Sequence, residues 1–244
     1  MSKYELPVTI VEIENHVGHW KIGTGAASLV DEVRESRKIA SRVHAILKEA
    51  SIPSTYFQDE KSTNKNDNLK TLVAHHNADV NGLVVSWHLN STGGITQNGI
   101  GTEVLYTNDK WKPLAEALSA AIAQAGNFKN RGAKKRDDLY VLNNTKEPSI
   151  IVETFFVNST ADVAMYNRHF DAICQASATV LASAIGKTLK PSKPSFNNEI
   201  LKARDHIRKA VISGVFTSKH ENVNNYSTDE LLKYLNIYID RLTI

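Results

Sequence analysis

The chain has 244 residues, of which 41% are hydrophobic and 23% are charged, and its 29 basic and 26 acidic side chains give a formal net charge of +3. This composition is typical of a globular protein with one well-buried α/β domain and a small appendage. The nearly balanced charge, without a basic stripe or a nucleic-acid-binding motif, excludes nucleic acid as an expected partner.

Apolar periodicity alternates along the chain between short runs typical of strands and longer runs typical of helices. In chain order the pattern predicts a strand at 8–13, a helix at 29–50, a strand at 54–57, a helix at 67–77, strands at 83–88 and 101–107, a helix at 111–125, a strand at 149–156 and a helix at 161–185. This order predicts an α/β domain with a twisted, mostly parallel sheet and helices on both faces. Ligands of such sheets bind beyond the carboxyl ends of the strands.

The C-terminal part of the chain predicts a separate small unit. Two prolines, Pro191 and Pro194, predict a linker at 189–196 between a main domain at 1–188 and a small helical domain at 197–244. The second of its two predicted helices begins with a capping box from Ser227 to Glu230. Two helices of this size do not easily bury a core of their own, so we expect them to dock on the main domain, form a homodimer or bind a partner.

Cysteine content and hydropathy bear on where the protein works. Cys174 is the single cysteine, which excludes an internal disulfide, and we expect it to be a buried residue on a helix. No run of about 18 apolar residues is present, so we expect no membrane span. The first residues lack a long apolar segment, so we expect no signal peptide and synthesis in the cytoplasm.

Two histidines and a carboxylate are placed where one metal ion could bind all three. His19 follows the first predicted strand, Glu32 lies on the apolar face of the first predicted helix, and His88 ends a buried strand. A carboxylate on an apolar face costs several kcal/mol, in order of magnitude, unless it is paired or coordinated. Two imidazoles, one carboxylate and an open position form the ligand set of a catalytic zinc site. His16 is a competing ligand.

Each of these residues also has a structural interpretation. Glu32 could form a buried salt bridge, His19 could be an exposed loop residue, and His88 could be a hydrogen-bonded strand histidine. His75 and His76 on the second predicted helix are expected to pack or to face solvent, because neither lies at a strand end.

A metal hydrolase also needs a carboxylate that takes a proton from water and returns it to the leaving amine. Glu153 interrupts the apolar run at 150–156 and fits that role. Glu103 on the preceding predicted strand is the rival candidate. The structural alternative for Glu153 is a buried ion pair with Arg131 or with a lysine.

In this order, the motifs resemble those of the zinc-dependent N-acetylmuramoyl-L-alanine amidases, in the branch used by bacterial autolysins and phage endolysins. The matching segments, which together span about residues 8 to 186, are Gly18-His19, Glu32 with Ile39-Ala40, 85–90, 101–106, 131–133 with 139–142, and 151–156.

The resemblance implies one Zn²⁺ on His19, Glu32 and His88, with Glu153 as the catalytic carboxylate and with Asn90 and Arg131 near the substrate cleft. The substrate would be bacterial peptidoglycan, cut at the amide between the lactyl group of N-acetylmuramic acid and L-alanine. Without a signal peptide the chain looks more like a phage endolysin, made in the host cytoplasm and acting on the wall after release. The alternatives are another zinc peptidase, such as a carboxypeptidase of wall peptides, and a non-catalytic wall-binding protein.

Overall fold

The protein has an α/β fold built around one sheet. The structure is a computed structural model, and it describes residues 10–189 together with Ser227 and Glu230. Its elements are β1 (Glu12–Val17), α1 (Glu32–Glu49), β2 (Ser54–Phe57), α2 (Lys65–His76), β3 (Gly82–Asn90), β4 (Thr102–Tyr106), a 3₁₀ turn (Asp109–Trp111), α3 (Lys112–Gly126), β5 (Asn130–Lys135), α4 (Tyr140–Asn144), β6 (Ser149–Phe156) and α5 (Thr160–Ala184). The six strands form one sheet in the order β2-β1-β3-β6-β4-β5. All neighbours are parallel except β4, which runs antiparallel to β6. The predicted α/β class with a mostly parallel sheet is therefore confirmed.

Apolar side chains extend from both faces of the sheet. Ile150 and Val152 of β6 belong to a large core that includes buried residues of α1, α3 and α5. Ile151, which lies between them, packs instead against Leu142 of α4. Because successive strand residues point to opposite faces, the two clusters lie on opposite sides of the sheet. Helices therefore cover both faces, as the sequence predicts.

Side-chain caps fix where three helices begin. Asp31, Asn64 and Ser159 each accept a hydrogen bond from the backbone N–H three residues later, which satisfies an otherwise unpaired donor. The cap at Asp31 starts α1 at Glu32, three residues after the predicted start. Glu32 is consequently the first residue of the helix, next to the loop that precedes it.

The first strand differs from its prediction. The sequence predicts a strand at 8–13, whereas β1 is Glu12–Val17 and includes His16, which lies beyond the predicted end. Residues 8 and 9 lie outside the described part. Glu14, Asn15 and His16 are buried although they are polar, so their alternation with apolar residues is lost. β1 is a strand because it pairs with both β2 and β3.

Two further elements carry no apolar pattern and were missed. β5 is a polar edge strand with several cations, a composition that protects an edge from pairing with other chains. α4 has only five residues, too few for a helical period to be recognised. β3 also extends beyond its predicted end to Asn90, with an irregular register against β6 after His88.

The chain divides into two units, 1–190 and 191–244. Leu189, at the start of the predicted linker, is buried in the large core of the first unit. In the second unit, Ser227 accepts a hydrogen bond from the Glu230 N–H, and the Glu230 carboxylate accepts one from the Ser227 N–H. These are the contacts of the predicted capping box. The rest of the predicted linker and C-terminal helices lies outside the described residues and stays a prediction.

Among the residues that the structure describes, no helix combines the length and the apolar character needed to cross a membrane.

Asp162 joins the loop before β4 to the end of β6, and its removal is expected to destabilise the fold. Its buried carboxylate accepts N–H groups from Ile100 at 3.1 Å, Gly101 at 3.0 Å and Phe156 at 3.4 Å. Hydrogen bonds to a charged group are worth about 1.5–3 kcal/mol each, and they are not additive. We expect Asp162→Ala to lower the free energy of unfolding by about 3 kcal/mol in urea denaturation.

The matched control is Asp109→Ala, which removes an exposed ion pair with Lys135. Exposed pairs contribute about 0–1 kcal/mol, so this variant should unfold close to the wild-type midpoint. Equal stabilities of the two variants would contradict the role given to Asp162.

Candidate metal centre

Three side chains from different elements converge at the carboxyl ends of β1 and β3. His19, Glu32 and His88 each offer a ligand atom, and these atoms lie within 4.8 Å of one another. Glu32 Oε2 is 3.2 Å from His19 Nε2, and Glu32 Oε1 is 2.8 Å from His88 Nδ1. The structure thus brings together the three residues that the sequence singles out.

Backbone contacts hold the Glu32 carboxylate in place. The N–H of Ala26 donates to Oε2 at 2.6 Å, and the N–H of Leu89 donates to Oε1 at 3.2 Å. Each oxygen therefore contacts one histidine and one backbone N–H, and the side chain is only 4% exposed. The carboxylate orientation is fixed before any ligand arrives.

The backbone around His19 is strained. His19 has a φ of +65°, in the left-handed region that non-glycine residues seldom adopt. Such conformations cost about 1–3 kcal/mol and persist where the surroundings impose them, often at functional sites. Here the strain accompanies an imidazole that lies against Glu32.

Gly18 and Gly25 have no side chain, and members of the cluster occupy the space that a side chain would fill. A Cβ added at Gly18 would lie 1.9 Å from His88 Cε1. A Cβ added at Gly25 would lie 2.5 Å from Glu32 Oε2 and 2.8 Å from His19 Cδ2. Any side chain at either position would displace a member of the cluster.

The electrostatics of the cluster favour a cation. Burial alone would raise the pKa of Glu32, but its hydrogen bonds with His19 and His88 hold that pKa far below its usual value. For His88 burial acts to lower the pKa, and the hydrogen bond and charge of Glu32 raise it overall. Among the described residues no lysine or arginine forms an ion pair with Glu32. A buried carboxylate between two imidazoles fits a divalent ion such as Zn²⁺.

Glu153 stands beside this cluster. It is aligned with His88 across β3 and β6 and with Glu103 across β4 and β6. Burial raises the pKa of Glu153 to about 7, against the lowering effect of His88. Its Oε2 is buried with no hydrogen-bond partner, and in the described part of the chain no arginine or lysine pairs with it. The structural alternative, a buried ion pair with Arg131, is therefore wrong.

Arg131 is bound to Glu103 instead. Its Nε donates to Glu103 Oε2 at 2.8 Å, and Asn90 Nδ2 donates to Glu103 Oε1 at 3.0 Å. The guanidinium also lies 5.0 Å from the ring centroid of Phe156. Glu103, proposed from sequence as the rival base, thus has both oxygens engaged. Its bridging position was missed, because cross-strand neighbours are not visible in a single sequence.

His16, His75 and His76 make contacts outside this cluster. His16 is fully buried, and its Nδ1 is 2.8 Å from His76 Nε2 rather than near Glu32. His75 stacks on Phe57 with 3.9 Å between ring centroids. His16 is therefore not a member of the candidate metal centre.

Comparisons with known proteins support a common family. Residues 16–186 match the family model described as N-acetylmuramoyl-L-alanine amidase. The chain is 29% identical over 185 residues to an uncharacterized 38.4 kDa protein of Clostridium perfringens, covering 75% of this chain and 54% of that protein. It is 29% identical over 96 residues to the "Probable cell wall amidase LytH" of Staphylococcus aureus, covering 39% and 32% of the two chains. The chain thus spans about half or less of these relatives.

Solved structures share the fold. The catalytic domain of the CD27L endolysin targeting Clostridia Difficile superposes with a TM-score of 0.64 at 23% identity, covering 74% of this chain and 99% of that one. The N-acetylmuramoyl-L-alanine amidase AmiC2 of Nostoc punctiforme superposes with a TM-score of 0.60 at 25% identity, covering 72% and 98%. Nearly the whole of each domain is therefore matched by one part of this chain.

Gly18→Ala is expected to weaken metal binding, because the new Cβ would overlap the His88 ring. Mutation of a residue that orients a metal ligand typically costs about 10–100-fold in metal affinity or activity. We expect a loss of this size for Zn²⁺, measured by competition with a chelating dye.

Gly94→Ala is the matched control, since a Cβ there meets no atom within 4 Å and the residue has no left-handed φ. It should bind Zn²⁺ like the wild type. Wild-type affinity in Gly18→Ala would show that His88 does not ligate the ion in this arrangement.

Proposed function

Because this chain belongs to the N-acetylmuramoyl-L-alanine amidase family, we propose that it hydrolyses the amide bond between the lactyl group of N-acetylmuramic acid and L-alanine in bacterial peptidoglycan. The observation that carries the proposal is the convergence of His19, Glu32 and His88 in one place, with the unpartnered carboxyl of Glu153 beside them. A wall-binding protein has no use for such an arrangement.

His19, Glu32 and His88 would hold one Zn²⁺. When bound, the ion would polarise the scissile carbonyl and lower the pKa of water. The chain's own contribution is preorganisation: Asp31 fixes the start of α1, and backbone N–H groups fix both oxygens of Glu32. The partial exposure of His19 and His88 leaves the substrate an approach to this point.

Glu153 would act as general base and then as general acid. Its carboxylate accepts a proton from the attacking water as the new C–O bond forms at the amide carbon. It then delivers that proton to the L-alanine nitrogen as the C–N bond breaks. Burial raises the pKa of this carboxyl, which favours its uptake of a proton from water.

Asn90 and Arg131 would bind polar groups of the substrate. Glu103 orients both by accepting one hydrogen bond from each, which leaves other guanidinium nitrogens of Arg131 for the substrate. Arginine suits carboxylate groups, and the stem peptide of peptidoglycan carries such groups. Glu103 would thus position these two residues rather than transfer protons.

We further propose the setting of an endolysin, the description carried by the CD27L fold neighbour. The protein would be made in a host cytoplasm and would act on the cell wall after release. The predicted C-terminal helices would bind the wall or form a homodimer.

The direct test is to digest purified peptidoglycan with the full chain in the presence of Zn²⁺. We expect new amino-terminal L-alanine and intact stem peptides freed from sugar, identified by mass spectrometry. A chelator should abolish the release, and added Zn²⁺ should restore it. Shortened stem peptides would instead indicate a carboxypeptidase, and unchanged wall would contradict an amidase.

Glu153→Gln is expected to lower kcat by about 10²–10⁴-fold, because general acid–base catalysis contributes a factor of that order. Its Zn²⁺ content should equal that of the wild type, since Glu153 is outside the ligand set. Both quantities are measured on the same preparation.

Glu103→Gln tests which of the two carboxyls, Glu103 or Glu153, acts as the general base. It should raise KM more than it lowers kcat, because Glu103 orients Asn90 and Arg131. The exposed Glu116→Gln should leave both constants unchanged. If Glu103→Gln abolishes kcat and Glu153→Gln does not, the base is assigned to the wrong residue.

A further inference from the structure

A second cluster of ligand-type side chains lies at the amino-terminal end of the same strands. Glu14 of β1, His76 at the end of α2 and Glu147 just before β6 offer ligand atoms within 4.8 Å of one another. Glu14 lies beside Val84 in the sheet, whereas His88 is four residues further along β3. Four residues of strand span about 13 Å, so this cluster is separate from the candidate metal centre.

The second cluster concentrates carboxyl groups that have no lysine or arginine paired to them in the described part of the chain. Glu12 and Asp79 adjoin it, since their ligand atoms lie within 4.8 Å of Glu14. Among the described residues, no lysine or arginine forms an ion pair with any of these four acids, and His76 is the basic partner of Glu14.

The two inner carboxyls each have one fixed oxygen and one oxygen without a donor. Glu147 Oε1 accepts the Gly82 N–H at 2.6 Å, and Glu14 Oε2 is 2.5 Å from His76 Nδ1. Glu147 Oε2 and Glu14 Oε1 are buried with no donor group among the described residues, both residues are only 4% exposed, and the two carboxyls interact with each other. Buried carboxyls that face each other without a donor must share either a proton or a cation, so this cluster can take a metal ion.

Gly82 and His16 lie next to the second cluster and contact two of its members, Glu14 and His76. A Cβ at Gly82 would lie 2.3 Å from Glu14 Oε1, so only glycine leaves room for this carboxylate. His76 Nε2 lies 2.8 Å from Nδ1 of the fully buried His16. A ligating histidine typically donates its second ring N–H to such an acceptor, which leaves the first nitrogen free to bind a metal.

We propose that Glu14, His76 and Glu147 form a second divalent-cation site, of structural rather than catalytic use, that takes Mn²⁺ or Zn²⁺. Mixed carboxylate and imidazole ligands suit these ions. The site ties together β1, the end of α2 and the segment before β6. Exposed Asp79 and half-buried Glu12 provide an acidic approach from solvent. Metal bonds of about 2.0–2.2 Å would lengthen the contact between His76 Nδ1 and Glu14 Oε2.

The test counts metal ions per full-length chain after saturation with Zn²⁺, and separately with Mn²⁺, followed by desalting and elemental analysis. We expect about two Zn²⁺ for the wild type and about one for Glu147→Gln, which keeps the size of the side chain and an acceptor for the Gly82 N–H. His88→Ala should also retain about one, and the double variant should retain none. Exposed Glu116→Gln is the matched control and should retain two.

Thermal unfolding gives an independent measure of metal binding at the second site. In the His88→Ala background, excess metal should raise Tm, and this rise should disappear when Glu147→Gln is added. A single ion per wild-type chain under saturation would overturn the proposal, whether or not the variants fold. The two carboxyls, whose pKa values burial and neighbouring acids raise to about 7, would then share a proton instead.

Discussion

The buried carboxylate of Glu32 is the interaction on which the candidate centre depends. Each of its oxygens contacts one imidazole and one backbone N–H, so the segment between β1 and α1 and the end of β3 both meet α1 at this group. It can do so because the Asp31 cap starts α1 at Glu32, and because Gly18 and Gly25 leave room for the rings. The backbone N–H groups that donate hydrogen bonds to this buried carboxylate also fix its orientation toward the two imidazoles.

The sheet register gives Glu103 and Glu153 different neighbours, which bears on the proton transfer proposed for Glu153. Antiparallel pairing of β4 with β6 sets Glu103 beside Glu153, and parallel pairing of β3 with β6 sets His88 on the other side. Asn90 and Arg131 occupy both oxygens of Glu103, whereas Glu153 keeps an unpartnered oxygen. Two adjacent carboxyls thereby acquire different environments, the general means by which proteins assign acid–base roles.

The sequence predicted those parts of the fold in which burial and periodicity agree. β2 and β6 were predicted with their observed bounds, because β2 is a short run set off by turns and β6 is strongly apolar. β1 was misplaced because Glu14, Asn15 and His16 are buried for reasons other than hydrophobicity. β5 was missed because an edge strand exposes polar groups and carries no apolar alternation.

Some residues of the candidate site could be predicted from the sequence and others could not, for a related reason. His19, Glu32 and His88 stand out as costly or unusual residues at the ends of elements, so chemistry alone could group them. The role of Glu103 depends on register, which one sequence does not reveal. The cluster of Glu14, His76 and Glu147 was missed because none of its members interrupts an apolar run and because the three come from separate segments.

Exposure distinguishes what the two ends of the sheet can do. At the carboxyl ends, the side chains of His19 and His88 are 25% and 20% exposed, so a substrate can reach an ion that they hold. At the amino ends, the side chains of Glu14 and His76 are 5% and 1% exposed, so an ion there would be enclosed by protein. A catalytic metal site needs an open position and a structural one does not. The same ligand chemistry would therefore serve the proposed hydrolysis at one end and the proposed cross-link of the sheet at the other.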